Sequence, residues 1–314
     1  MKYILDVDTG IDDTFSIVYM CAQKELSLIG ITTVYGNIDV EGATQNTLDL
    51  LHYFNQNHIP VYQGCTHARR DNTYEHLAGG IRFHGKNGIG NAVLTQSPNT
   101  KATKHAVDFL IESAEKYGKD LVIIASGPLT NLAKAIERNP KAMAGIGNLV
   151  LMGGAFSVPG NVSKFAEANI AQDDLSSKIV LGSSTPITMI GLDVTTRAII
   201  TKEDVAHWQS SAPELYQIVL YYLDAYKDAY PLWDGCALHD PLAVFAALNP
   251  NLITGPHVNL DVLTDQEQKG RTILNVDAYR EGKSPNVKVA LDADIEGFKK
   301  SLLGDIDALI ARIS

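Results

Sequence analysis

Tyr3-Ile-Leu-Asp-Val-Asp-Thr-Gly-Ile-Asp-Asp13 carries an apolar strand into four carboxylates, Asp6, Asp8, Asp12 and Asp13. Tyr3 to Val7 reads as a strand ending at Asp8, and Gly10 breaks it. From Ile11 onwards Phe15, Val18 and Tyr19 recur at helical spacing. A strand feeding a helix through a tight acidic turn is the first unit of an α/β fold. Four like charges within eight residues repel, and at least one is driven towards its protonated form. A hard divalent cation relieves that repulsion, because Ca²⁺ and Mg²⁺ take oxygen ligands. A helix start accounts for Asp12 and Asp13, since negative charge suits a first turn. It does not account for Asp6 and Asp8, so the cluster reads as a metal site.

Outward from this unit, strands are expected near 28–34, 59–62, 121–125, 149–152 and 186–190, with later ones near 258–260, 272–276 and 287–290. Helices are expected over 41–54, 102–117, 174–181, 202–208, 213–230 and 295–313, with one opened by Pro128 and one running from His239 to Leu248. Leu121 to Ala125 is continuously apolar, as a strand buried on both faces requires. Residues 64–100 read as irregular, and a long loop of this kind is often a lid. The alternation predicts one α/β domain over residues 1–314, a mostly parallel open sheet flanked by helices. Ligands bind such sheets beyond the carboxyl ends of the strands. Asp8, Asn37, Ser126 and the turn after Met152 all fall there.

The bulk properties are those of a globular chain: 314 residues, 45% hydrophobic, 20% charged. A net charge of −10 without a basic run argues against nucleic acid as partner. Cys21, Cys65 and Cys236 form neither a zinc pattern nor a disulfide framework, which fits a reducing compartment. No signal peptide or membrane span is expected, so a cytoplasmic location is.

Three further segments carry polar chemistry. Val158-Pro-Gly-Asn-Val-Ser-Lys-Phe-Ala-Glu-Ala-Asn169 is either a polar surface loop or, through Asn161, Glu167 and Asn169, a set of partners for sugar hydroxyls. His239-Asp240-Pro241 marks a helix start, with Asp240 as N-cap and Pro241 at the first position. It also offers a carboxylate to a metal and a histidine that titrates near neutral pH. Tyr222, Tyr226 and Tyr230 share one helical face, as core packing or, with Trp233, as an aromatic pocket for a planar ligand. Gly79-Gly-Ile-Arg-Phe-His-Gly-Lys-Asn-Gly-Ile-Gly90 has five glycines in twelve residues, a flexible loop or a lid carrying His84.

In this order the pieces resemble the inosine–uridine preferring nucleoside hydrolase family. The carriers are Asp6-Val-Asp-Thr-Gly-Ile-Asp-Asp13, Tyr35-Gly36-Asn37, Ser126-Gly-Pro-Leu-Thr-Asn131, Met152-Gly-Gly154, Asn161, Glu167, Asn169 and His239-Asp240-Pro241. They span nearly the whole chain. The resemblance implies Ca²⁺-dependent hydrolysis of the N-glycosidic bond of ribonucleosides in nucleoside salvage. It implies Asp8, Asp13, Asp240 and the carbonyl of Ser126 as metal ligands, with Asp8 also the general base. Asp12, Asn37, Asn161, Glu167 and Asn169 would hold the ribose, with Met152 nearby. His239 and His84 would lie near the base with Tyr226 and Tyr230. His239 is the candidate acid, and a tyrosine is the alternative. A homotetramer or homodimer is implied in the same way.

The chain departs from the family in three places, none at the metal. Ala168 stands where relatives often carry Phe, Asn87 beside Lys86 where the lid often has Asp, and the tyrosine helix lies one residue further from His239. Two rival readings remain. A haloacid-dehalogenase-like phosphatase also begins with Asp-x-Asp, but it wants Thr at the position of Gly10 and does not expect Asp12-Asp13. A silent Ca²⁺-dependent ribose or nucleoside binder would keep the constellation without turnover. An EF-hand fails, because its twelfth position counted from Asp6 is Ile17.

Overall fold

The computed structural model describes residues 1–76 and 78–313. Its frame is an eight-stranded sheet. β1 (Lys2–Val7), β2 (Ser27–Thr33), β3 (Val61–Gln63), β4 (Leu121–Ala125), β5 (Asn148–Met152) and β6 (Ile187–Ile190) all pair in parallel, as does Val287–Val289 beside β6. His257–Val258 adds one antiparallel edge. The order from that edge is His257–Val258, Val287–Val289, β6, β5, β4, β1, β2, β3. The chain winds from β1 outward to β2 and β3, then returns to place β4 on the other side of β1. The gap between β1 and β4 is therefore the topological switch point, where an α/β sheet opens a crevice.

Both faces of the sheet are covered. Tyr3, Leu5 and Val7 of β1 enter one core with α1 (Ile11–Ala22), α2 (Val40–Tyr53) and the helices Pro213–Ala229, His239–Leu248 and Ile295–Ile313. Ile4 points the other way, into a core with α4 (Ala106–Tyr117), α5 (Thr130–Arg138) and Asp174–Leu181. Every residue of β4 is buried, as its unbroken apolar run requires. The alternation that points Ile4 to the second face also places Asp6 and Asp8 there.

Several boundaries differ from expectation. The glycine-rich stretch contains a helix, α3 (Ala78–His84). α5 begins at Thr130, two residues beyond Pro128. The segment 202–208 divides into Lys202–Val205 and Trp208–Ser211. The strand expected at 258–260 also divides. His257–Val258 joins the main sheet, and Leu260–Val262 pairs with Thr272–Leu274. Asp240 is not an N-cap: the helix starts at His239 behind Leu238, which supplies no side-chain cap. The Asp240 carboxylate turns instead towards Asp12 and Asp13. Among the described residues no helix is long and apolar enough to cross a membrane.

Candidate active site

The carboxyl ends of β1 and β4 bring the acidic residues together. Asp8, Asp12, Asp13 and Asp240 are all buried. Oxygens of Asp12, Asp13 and Asp240 lie within 4.8 Å of one another. Asp13 is held by the Gly10 N–H (2.8 Å), the Ser126 hydroxyl (2.6 Å) and the Asn37 amide (3.3 Å). Asp8 accepts the Asn37 backbone N–H at 2.7 Å. Its other oxygen, and Oδ1 of Asp12, are buried without a partner. Two glycines permit this crowding. A Cβ on Gly36 would lie 2.0 Å from Asp8 Oδ2, and one on Gly10 would lie 2.5 Å from the Asn37 amide nitrogen.

Burial first, then mutual repulsion, raises these groups. Asp8 and Asp240 are pushed well above the usual carboxylate range, and Asp12 to about 7. Among the described residues no lysine or arginine lines the cleft to offset them. A nest of carboxylates with two orphaned oxygens and no cationic side chain fits a hard divalent cation. The grouping differs from expectation in one respect. Asp12, assigned to the ribose, belongs to the tight carboxylate group, and Asp8 stands beside it. Asp6 lies one strand alternation behind Asp8. Its Oδ1 takes the Asn131 amide at 2.8 Å, and burial raises it to about 6.

One wall of the cleft is made of amides. Asn169 donates to the carbonyls of Ser126 (2.8 Å) and Met152 (3.2 Å), which fixes both strand ends. Glu167 caps the helix Ala168–Gln172 by accepting from Asn169 N–H at 2.8 Å and Ile170 N–H at 3.1 Å, and it also takes Gly154 N–H at 3.0 Å. That capping role was not legible in the sequence. Asn161 accepts the Ala168 N–H at 3.0 Å, so the strap 158–165 is tied back to this helix.

The opposite wall is aromatic. Tyr222, Tyr226 and Tyr230 line it together with Phe83 and Trp233. Tyr230 and Trp233 stack at 4.9 Å, and Phe83 meets Tyr226 edge-on at 5.2 Å. Tyr226 and Tyr230 therefore reach the cleft despite the longer spacing to His239. His84 Nδ1 accepts the Ile11 N–H at 3.0 Å, which leaves its ring proton on Nε2. His239 bonds Tyr226 Oη through Nε2 (2.8 Å) and Thr195 Oγ1 through Nδ1 (2.7 Å). Burial lowers His84 to about 3 and His239 to about 4, so both are neutral near pH 7. Asn87 faces away from the cleft and staples the lid turn, accepting from Asn91 N–H (2.8 Å) and donating to Ala92 O (2.8 Å).

The cleft encloses about 650 Å³. Asp12, Asn37, His84, Ser126, Met152, Asn161, Glu167, Asn169, Tyr226, Tyr230, His239 and Asp240 all line it, with Asp8 and Asp13 beneath. Phe83 and Thr195 were missed by sequence reasoning; Phe83 sits in the glycine-rich segment, and nothing marked Thr195. A larger groove of about 1140 Å³ lies at the amino ends of β4 to β6. It has none of the carboxylates, so chemistry rather than size selects the smaller cleft.

An α/β sheet with a carboxylate nest at its switch point, facing amides on one side and aromatic and imidazole rings on the other, is equipped to hold a cation and a ligand that carries both hydroxyls and a planar ring. The model of the inosine-uridine preferring nucleoside hydrolase family matches residues 3–300, and the chain belongs to that family. It is 35% identical over 312 residues to "Probable uridine nucleosidase 2" of Arabidopsis thaliana, covering 96% of each chain. It is 33% identical over 307 residues to "Non-specific ribonucleoside hydrolase RihC" of Escherichia coli, again covering 96% of each. Among solved structures, a purine-preferring ribonucleoside hydrolase from Gardnerella vaginalis superposes with a TM-score of 0.96 at 38% identity, covering 99% of both chains. The phosphatase alternative falls with these findings.

Proposed function

We propose that residues 1–314 act as one catalytic domain that hydrolyses ribonucleosides, pyrimidine, purine or both, to ribose and free base with Ca²⁺ in nucleoside salvage. The observation that carries this is the orphaned carboxylate nest at the floor of a cleft with amides on one wall and His239 and Tyr226 on the other. A divalent cation held by Asp8, Asp13, Asp240 and the Ser126 carbonyl would supply Lewis acidity towards water and the ribose hydroxyls. Asp8, with its unpartnered oxygen, takes the proton of the attacking water as the new C1′–O bond forms. Asp12, Asn37, Asn161, Glu167 and Asn169 hold the ribose so that C1′ stays in line, an effect worth roughly 7–11 kcal/mol. Water enters opposite the leaving base, the geometry of an inverting glycosidase. The C1′–N electron pair leaves with the base, and the hydrogen-bonded pair His239 and Tyr226 protonates it.

The test is a panel of inosine, uridine, cytidine and adenosine with a reducing-sugar assay, because the relatives differ in the base their names carry. Ribose release from any of them supports the reading. Metal binding without ribose from any would establish the silent binder instead. His239→Ala should slow some bases more than others, and an equal loss for all would assign His239 a structural role. The cytoplasmic location and homo-oligomeric assembly belong to the same reading; sedimentation tests the assembly.

A further inference from the structure

We infer that Thr195 fixes the tautomer of His239 and so sets the direction of the hydrogen bonds that reach the departing base. The inference rests on the ribonucleoside reading above. His239 uses both ring nitrogens, Nδ1 at 2.7 Å from Thr195 Oγ1 and Nε2 at 2.8 Å from Tyr226 Oη. A neutral imidazole has one donor and one acceptor nitrogen, so two arrangements share this geometry. Thr195 distinguishes them.

Thr195 is fully buried in the short helix Leu192–Thr195, at the carboxyl end of β6. Among the described residues its hydroxyl meets no carbonyl or carboxylate. The neighbouring Thr196 hydroxyl, by contrast, donates to Leu192 O at 2.9 Å. Were Nδ1 protonated, the Thr195 O–H would be buried without an acceptor, which is the costly arrangement. Thr195 therefore donates to Nδ1, the ring proton sits on Nε2, and Nε2–H donates to Tyr226 Oη.

This turns the Tyr226 O–H away from His239, towards the cleft and the neighbouring Tyr222 hydroxyl. As the C1′–N bond breaks, its electron pair stays on the base and the Tyr226 proton moves to the base nitrogen. The pair left on the Tyr226 oxygen is held by Nε2–H of His239. In the other tautomer the Tyr226 proton would be committed to Nε2. Thr195 touches no substrate atom and is a positioning residue.

The experiment uses the full-length protein labelled with ¹⁵N-histidine, the His239 signals being assigned by their loss in His239→Gln. The wild type should show Nε2 bearing the proton and Nδ1 bare. Thr195→Val keeps the shape and removes the donor. It should move the signals towards the Nδ1-protonated form and lower kcat roughly tenfold, with KM changed less than about twofold. Thr195→Ser should restore both. A proton on Nδ1 in the wild type overturns the inference, as does a Thr195→Val protein with unchanged spectrum and kcat. If the valine variant does not fold, the wild-type spectrum still decides. Absence of any nucleoside hydrolysis would overturn the function, while the spectrum tests Thr195 independently.

Discussion

Asp8 owes its position to a residue without a side chain. Its Oδ2 occupies the space where Gly36 would carry a Cβ, 2.0 Å away, and accepts the next backbone N–H, that of Asn37, at 2.7 Å. Gly36→Ala should thus displace the carboxylate proposed as general base. The expected outcome is a loss of kcat of about a hundredfold or more with the far-ultraviolet circular dichroism unchanged. Asp8→Asn should cost about 10²–10⁴-fold in kcat for ribose release, and near-normal turnover would refute its role. The carboxylate floor of the cleft was legible in the sequence, because clustered carboxylates and a His-Asp-Pro turn are written in adjacent letters, while the residues of the walls were assigned through the family resemblance. The approach of the Asp240 carboxylate to Asp12 and Asp13 was not legible, since it brings together positions 228 residues apart. Glu167 as a cap and Thr195 as a hydroxyl donor depend on contacts that leave no local pattern.

At the scale of elements, the end of β1 is clamped by α5. Asn131 donates to Asp6 Oδ1 (2.8 Å) and to Thr33 O (3.0 Å), and accepts the Cys65 N–H at 2.9 Å. One fully buried amide thus ties β1, the end of β2 and the chain after β3. Asn131→Leu leaves these groups unpaired and should lower stability by about 3 kcal/mol in urea unfolding. A loss under about 1 kcal/mol would mean that water replaces the amide. The long helices were legible because their apolar period is unbroken, as in Ile295–Ile313, which matches expectation end to end. α3 was hidden by Gly79 and Gly80, each unfavourable in a helix by about 1 kcal/mol relative to Ala. Packing of Phe83 against Tyr226 and of His84 against Tyr222 overrides that propensity.

For the whole molecule, winding order places the acidic residues at the switch point, and the fold must then tolerate them. Asp6 keeps its proton to about 6 and Asp12 to about 7 in the folded chain, against 3.8 when unperturbed. Through these carboxyls the folded state binds more protons, a contribution to stability that is lost as pH rises from about 4 to about 7, whereas the lowered His84 and His239 act in the opposite sense below about 6.5, so the net fall without metal is read above that pH. Chelator-treated protein should melt lower at about pH 8 than at about pH 6.5, where the histidines no longer contribute, and Ca²⁺ should raise Tm more at the higher pH. A flat or reversed profile by calorimetry would contradict the buried-nest account. The placement of the two tryptophans gives the molecule an optical property as well. Trp208 is sealed in the core against Phe15, whereas Trp233 is half-buried and lines the cleft beside Tyr230. These are the only indoles in the chain. Any ligand entering between the walls must alter the emission of one while the other gives a constant background, so the protein reports its own occupancy without a label.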